Sequence, residues 1–275
     1  MRGQIIKSIS GFFDIESNEI VYRVRGSGNL RNQNIIPIVG DYVDFEPEKF
    51  LTKIIERKNE LVRPKVSNID KVVLVFSIKE PEISSFLIDK YLAIIEYAKI
   101  EPIILLTKSD LGENNLYNSY KQQNYNAFLI NNNNFIMDSK LKELLTNNLI
   151  VFMGQSGVGK STTINNIAGT DLKTQQISKA LGRGKHTTRV VEIIKWKMGR
   201  LIDTPGFSSF DLNLTRVQYS KSFLTFRNLS QECKFPKNCL HWKEKNCKIK
   251  DMIGTPLVPK ERYENYVRML EELEG

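Results

Sequence analysis

Two hydrophobic patterns divide this chain. Over residues 1–66 apolar and polar positions alternate. Ile20, Tyr22 and Val24 fall on one side and Val21, Arg23 and Arg25 on the other; Val43 and Phe45 resume the alternation after Gly40-Asp41. A period of two belongs to strands. Gly26-Ser27-Gly28-Asn29 is a turn signal between them. Several short strands without a helical period predict a small barrel of the size used for oligonucleotide binding.

From residue 67 the pattern changes. Lys71-Val72-Val73-Leu74-Val75-Phe76 and Ile103-Ile104-Leu105-Leu106 are continuous apolar runs, as in strands covered on both faces. Between them Leu87, Tyr91, Ile94, Ile95 and Ala98 share one helical face, with Ser84 or Ser85 as cap and Pro102 as stop. A turn, a short strand near Ala127–Ile130, an Asn-rich loop and a helix over about Ser139–Leu145 follow. The apolar run Leu149–Met153 then leads into a glycine-rich turn and a helix to about Ala168, with Gly169 as terminator. Residues 171–189 show no period; a loop that long inside a domain is functional or disordered. Val190–Lys197 and Arg200–Ile202 read as a strand pair. Strands alternating with helices predict a parallel, doubly wound α/β sheet. Beyond 210, a helical stretch precedes Cys233, and a last helix places Tyr263, Tyr266, Val267 and Leu270 on one face. The predicted organisation is a β-barrel over 1–66, an α/β domain over 67–210 and a small α-helical region over 211–275.

Composition narrows the class. The 275 residues are 41% hydrophobic and 26% charged, ordinary for a soluble globular protein. No apolar run reaches the roughly 18 residues of a membrane span, and Met1-Arg2-Gly3-Gln4 begins no signal peptide. A cytoplasmic, monomeric protein without a membrane partner is expected. The net charge of +9 suits a polyanion such as RNA but does not demand one. Arg23, Arg25 and Arg31 either flank a nucleic-acid face of the barrel or are solvated charges that block edge pairing.

The glycine-rich turn carries the first chemistry. Gly154-Gln155-Ser156-Gly157-Val158-Gly159-Lys160-Ser161, followed by Thr162, reads G-x-x-x-x-G-K-S after a buried strand. Such a turn aims backbone N–H groups at phosphate oxygens, and the helix start adds positive potential. Lys160 would reach the β- and γ-phosphates, and the Ser161 hydroxyl would ligate Mg²⁺. Thr107-Lys108-Ser109-Asp110 ends another buried strand and resembles the N/T-K-x-D base reader. The Asp110 carboxylate only accepts hydrogen bonds, which suits the adjacent N1–H and 2-amino donors of guanine; adenine lacks that pair. Lys108 would pack along the base, and Thr107 replaces the commoner Asn. Asp203-Thr204-Pro205-Gly206 matches D-x-x-G, with Asp203 towards Mg²⁺ and the Gly206 N–H sensing the γ-phosphate. Thr187 or Thr188 is the switch threonine. Together the three motifs select GTP and GDP.

Their order is unusual. The base reader precedes the phosphate loop, which precedes the switches, so the domain is circularly permuted; chain ends that lie close together allow this. Downstream, Cys233-x5-Cys239-x-His241-x5-Cys247 contains all three cysteines of the chain and one of its two histidines. It offers a closed tetrahedral set for one structural Zn²⁺. Six lysines and a single acid, Glu244, occupy the stretch from Cys233 to Lys250.

This combination resembles the bacterial RsgA family on the permuted order, Gly182-Arg183-Gly184-Lys185-His186-Thr187-Thr188-Arg189, and the Cys/His cluster. The resemblance covers all three regions. It implies a GTP hydrolase dependent on the small ribosomal subunit, acting late in that subunit's maturation and binding its rRNA. Leu129-Ile130-Asn131-Asn132-Asn133 departs from the S-A-x loop that would further clasp guanine. Phe207 stands where Ras-like enzymes place a water-orienting Gln. Slow intrinsic hydrolysis and strong stimulation by the partner are therefore expected. His186 either positions the attacking water or is a solvated or RNA-contacting loop residue. A GTP-dependent metal carrier is disfavoured by the closed Cys₃His set, and a vestigial RNA-binding module by the intact Lys160, Ser161 and Asp203.

Overall fold

The computed structural model describes residues 1–28, 30, 36–112, 115–169, 191–196, 198–202 and 212–273. In chain order the strands are β1 (Arg2–Ile9), β2 (Phe12–Ser17), β3 (Ile20–Gly26), β4 (Tyr42–Phe45), β5 (Phe50–Ile54), β6 (Glu60–Leu61), β7 (Val66–Ser67) and β8 (Lys71–Ser77). Then come α1 (Ser85–Tyr97), β9 (Glu101–Thr107), α2 (Asn115–Gln122), β10 (Asn126–Ile130), α3 (Ser139–Leu145), β11 (Leu149–Met153), α4 (Lys160–Gly169), β12 (Ile193–Trp196) and β13 (Gly199–Ile202). The C-terminal helices are α5 (Arg216–Ser220), α6 (Leu224–Leu229), α7 (Lys248–Asp251) and α8 (Lys260–Glu272).

The chain forms two compact units. The first comprises residues 1–71, 137–152 and 164–206, and the second 72–136, 153–163 and 207–275. In the first, β1 to β5 close a barrel in the order β1-β2-β3-β5-β4. The alternation predicted from sequence is realised in part: Val24, Val43 and Phe45 are buried and Val21 and Arg23 face outward, but Tyr22 is half-buried and Ile20, at the start of β3, is exposed. Arg23 is held by both carboxylate oxygens of Asp14, at 2.6 and 2.9 Å, so its charge is matched on the barrel itself. Arg25 lies over the Phe12 ring, 4.6 Å from its centroid. Arg31 lies outside the described residues.

The same unit holds β13 between β11, its parallel partner, and β12, its antiparallel one. This hairpin is fastened to the barrel by charge. Lys7 on β1 meets Glu192 at 2.6 Å, and the Glu16 carboxylate, only 9% exposed, pairs with Lys195 and with Arg200. A groove of about 1060 Å³ runs beside these contacts, lined among others by Gln4, Glu16, Asn68, Asn148 and Arg200.

In the second unit β9 lies between β10 and β8, with β10 parallel to β9. Every residue of β8 after Lys71, and of β9 after Glu101, is buried, as the continuous apolar runs require. Helix α1 starts where expected, but Ser84 makes no side-chain cap bond, and the helix ends at Tyr97, with Ala98 as its cap, rather than running on to Pro102. The left-handed Lys99 (φ 59°) turns the chain, and Pro102 already belongs to β9. The helix also buries more than the predicted face: Ile88, Asp89, Leu92 and Glu96 join Tyr91 and Ile95.

That second face is polar because α8 closes over it. Arg262, 3% exposed, donates to Gln123 and to the Tyr125 hydroxyl (2.6 Å) and lies 3.9 Å from Asp89. Asn265 and Tyr120 also donate to Asp89, at 2.8 and 2.9 Å. Burial still pushes the Asp89 carboxyl above its ordinary pKa, against the pull of Arg262 and these donors. Arg262→Met would leave Asp89 without its counter-charge. We expect it to lower unfolding free energy by about 3–5 kcal/mol, seen as a fall in the urea midpoint at unchanged slope.

Candidate functional site

The second unit brings the phosphate-loop and base-reader motifs together. β11 carries the chain into Gly154, which packs so closely on β8 that a Cβ there would collide with the Val75 carbonyl. Gly157 and Gly159 then adopt left-handed backbone (φ 82° and 85°), which side chains resist. Val158 is buried between them and anchors the turn. Lys160 opens α4, with Ser161 and Thr162 exposed on its first turn and Thr163 fully buried. Gln155 is half-buried and Ser156 exposed.

Thr107 ends β9 with its side chain turned inward. Its Oγ1 lies 2.5 Å from the Val158 carbonyl and 3.1 Å from that of Phe76, so it fastens the glycine turn to the sheet. A shorter residue than the usual Asn suffices for that tie. Lys108 is left-handed (φ 54°) and donates through Nζ to the Glu80 carbonyl; Ser109 and Asp110 form a short 3₁₀ turn that leaves Asp110 exposed. The Asn-rich loop after β10 reaches both motifs. Asn132 bonds Thr163 at 3.0 Å, and Asn133 Nδ2 donates to Asp110 Oδ2 at 3.4 Å. The poor match of 131–133 to an S-A-x loop hid these contacts. The signal available in sequence was four consecutive asparagines, 131–134, directly after β10.

His186, Thr187, Thr188, Asp203, Gly206 and Phe207 lie outside the described residues.

The other sequence-predicted cluster forms fully. Cys233, Cys239, His241 and Cys247 are buried, and their ligand atoms lie within 4.8 Å of one another. Cys233 and Cys247 sulfurs are 3.9 Å apart, and His241 Nδ1 lies 3.8 and 3.4 Å from them. A tetrahedron with 2.3 Å metal–sulfur and 2.0–2.1 Å metal–nitrogen bonds has S···S and S···N edges of about 3.8 and 3.6 Å. The donor set therefore fits a zinc-sized ion. Burial pushes the Cys239 thiol up to about 12 and the His241 imidazole down to about 4. The neutral imidazole is the ligating form; the thiols need a cation to become thiolates.

The surroundings hold this geometry. Glu244 accepts from the Leu240 and Trp242 N–H groups, at 2.7 and 2.9 Å, and closes the loop around left-handed His241. Tyr263 and Tyr266 donate to the His241 and Leu240 carbonyls at 2.8 and 2.6 Å. Tyr266 stacks on Tyr219 and packs against Phe226, so the cluster rests on α8, which Arg262 locks to α1 and to the turn after α2. Lys234, Lys237, Lys243 and Lys245 are exposed around it, and Lys243 sits 3.8 Å over the Trp242 ring. Lys248 is instead paired with Glu232 and Lys250 with the Glu244 carbonyl.

Comparison with known proteins agrees with this architecture. Residues 2–52 match the RsgA N-terminal domain and residues 54–213 the RsgA GTPase. A protein of Mycoplasmopsis agalactiae named small ribosomal subunit biogenesis GTPase RsgA is 46% identical, over 100% of this chain and 99% of its own. One of the same name from Streptococcus pneumoniae is 41% identical, over 100% and 95%. The crystal structure of YloQ, described as a circularly permuted GTPase, superposes with a TM-score of 0.76 at 32% identity, covering 99% of this chain and 94% of that one. YjeQ from Thermotoga maritima gives 0.81 at 28%, covering 100% and 98%. With its barrel, its permuted order of base reader and phosphate loop, and matches along its whole length, this chain belongs to the RsgA GTPase family.

Proposed function

We propose that this GTP hydrolase acts in biogenesis of the small ribosomal subunit, gripping the subunit's rRNA and letting go according to the state of its nucleotide. The observation that supports the reading is the tie from Thr107 to Val158, which joins the segment read as the guanine reader to the turn read as the phosphate cradle. The relatives' printed function supplies the biological setting.

The roles follow from the chemistry. Backbone N–H groups of Gly154–Gly159 cradle phosphate, and Lys160 offsets charge on the β- and γ-phosphoryl oxygens. Asp110 accepts from guanine N1–H and the 2-amino group, while Lys108 and Ser109 shape the base pocket. Ser161, exposed at the start of α4, and Asp203 would hold Mg²⁺, which supplies Lewis-acid stabilisation of phosphoryl charge. Thr162 extends the cradle. Gly206 and Thr187 or Thr188 respond to the γ-phosphate, and His186 is the candidate for orienting water, since Phe207 has no group to do so. Cys233, Cys239, His241 and Cys247 would hold one structural Zn²⁺, which supplies folding energy to the C-terminal region.

The working division is a barrel over 1–66, a GTPase domain over 67–210 and a zinc domain over 211–275. Barrel and zinc domain supply the rRNA contacts: Arg25 on Phe12 and Lys243 on Trp242 pair cations with aromatic faces, a combination suited to phosphates and unstacked bases. No helix among the described residues is long and apolar enough to cross a membrane. Cytoplasmic residence and a monomeric state complete the proposal.

Co-sedimentation tests the partner. With a non-hydrolysable GTP analogue the protein should pellet with small subunits, and with GDP it should remain in the supernatant. Equal pelleting in both nucleotide states would contradict a GTP-gated grip.

A further inference from the structure

Three of the four consecutive asparagines after β10 have separate tasks. Asn131 Oδ1 accepts from the Asn133 and Asn134 N–H groups, at 2.9 and 3.2 Å, and bends the loop. Asn133 reaches Asp110 at the base reader. Asn132 reaches the opposite way, to the first turn of the phosphate helix. There the fully buried Thr163 hydroxyl meets both ends of the amide. It accepts from Nδ2 at 3.0 Å and donates to Oδ1 at 3.1 Å. Donor and acceptor roles are complementary, so one hydroxyl engages both ends of the amide at once. Thr163 N–H in turn donates to the Gly159 carbonyl at 2.8 Å. A Cβ on Gly159 would stand 3.0 Å from Asn132 Nδ2, so the glycine turn and the asparagine are packed against each other.

We propose that Asn132 is a positioning residue that couples guanine recognition to the phosphate helix through the Thr163 hydroxyl. The inference rests on reading 107–110 as the base site and 154–161 as the phosphate site, and it deepens that reading. The loop carrying Asn133 to Asp110 is pinned by Asn132 to the helix that begins with Lys160. A base that fills the Asp110 site holds the loop in place, and the held loop keeps the first turn of α4 in register with the phosphates. A base lacking the 2-amino group forfeits part of this coupling as well as its own hydrogen bond.

The test uses the full chain, with GTP and with ITP, which lacks the 2-amino group. Wild type, Asn132→Ala, Thr163→Val, the double variant and Thr163→Ser are compared by kcat/KM and by melting temperature. We expect Asn132→Ala to lose roughly five- to tenfold in kcat/KM for GTP, the worth of one buried hydrogen bond, and less than about twofold for ITP, so that discrimination falls. Thr163→Val should lose as much, the double variant no more than either single, and Thr163→Ser, which keeps the hydroxyl, should match wild type. A merely structural contact would lower melting temperature and leave the GTP-to-ITP ratio unchanged, and that result overturns the proposal. Independent, multiplying losses in the double variant also overturn it. If wild type itself failed to prefer GTP over ITP, the assignment of Asp110 as the guanine reader would be what fails.

Discussion

Lys160→Ala is expected to lower subunit-stimulated GTP turnover by roughly 10²–10³-fold, the cost of removing one preorganised charge from a developing transition state. The backbone should stay as it is. The conformation of the glycine turn is set by left-handed Gly157 and Gly159, by burial of Val158 and by the Thr107 bond to the Val158 carbonyl, none of which involves the lysine side chain. The cradle should therefore still admit nucleotide, and the loss should appear mainly in kcat rather than in KM. Single-turnover hydrolysis on small subunits separates the two. A variant that bound GTP normally and hydrolysed it within about threefold of wild type would remove Lys160 from the chemistry.

The second large effect concerns the C-terminal region. Cys247→Ala is expected to reduce bound zinc from about one ion per chain to near zero, because a three-ligand remnant holds a structural ion poorly. Apparent zinc binding in small domains is worth roughly 10–16 kcal/mol, more than the short helices α5, α6 and α7 can replace. Cys247, Cys233 and Cys239 are all buried, and without an ion their thiols pack against a histidine that burial keeps neutral. Zinc analysis and limited proteolysis should show metal loss together with cleavage beyond residue 211, while the barrel remains resistant. A metal-free variant as protease-resistant as wild type would contradict a folding role for the ion.

How much of this was legible in the chain varied with the range of the interactions. The buried strands were legible because runs such as Val72–Phe76 and Ile103–Leu106 admit few other structures. Helix α3 was legible in place and approximate length, and the structure adds its cap: the Asp138 carboxylate accepts from the Lys140 and Leu141 N–H groups. The phosphate turn and the four ligands of the Cys/His cluster were legible because their chemistry demands particular residue types at short spacing. Helix α2 went unseen: Asn115–Gln122 is short and polar on average and fully buries only Tyr120, although Leu116, Tyr117 and Tyr120 do share one face. The end of α1 was misplaced because a left-handed Lys99 does the work that Pro102 invites one to assign to it. Asp89, Glu96 and Arg262 look like surface residues in sequence. They are buried because α8 returns from the far end of the chain to cover α1, which no local pattern announces. The ties from Thr107 to Val158 and from Asn132 to Thr163 escaped for the same reason. Each joins segments whose proximity exists only in the folded unit.

GTP turnover with purified small, then large, ribosomal subunits bears most directly on a partner-dependent hydrolase. Phe207 offers no side chain to orient the attacking water, so the free protein should be slow. Small subunits should accelerate it by roughly 10³-fold or more, the range spanned by groups that complete such sites in trans, and large subunits should leave it near its unstimulated rate. Equal turnover with both subunits, or none above the free protein with either, would contradict a GTPase that waits for the small subunit.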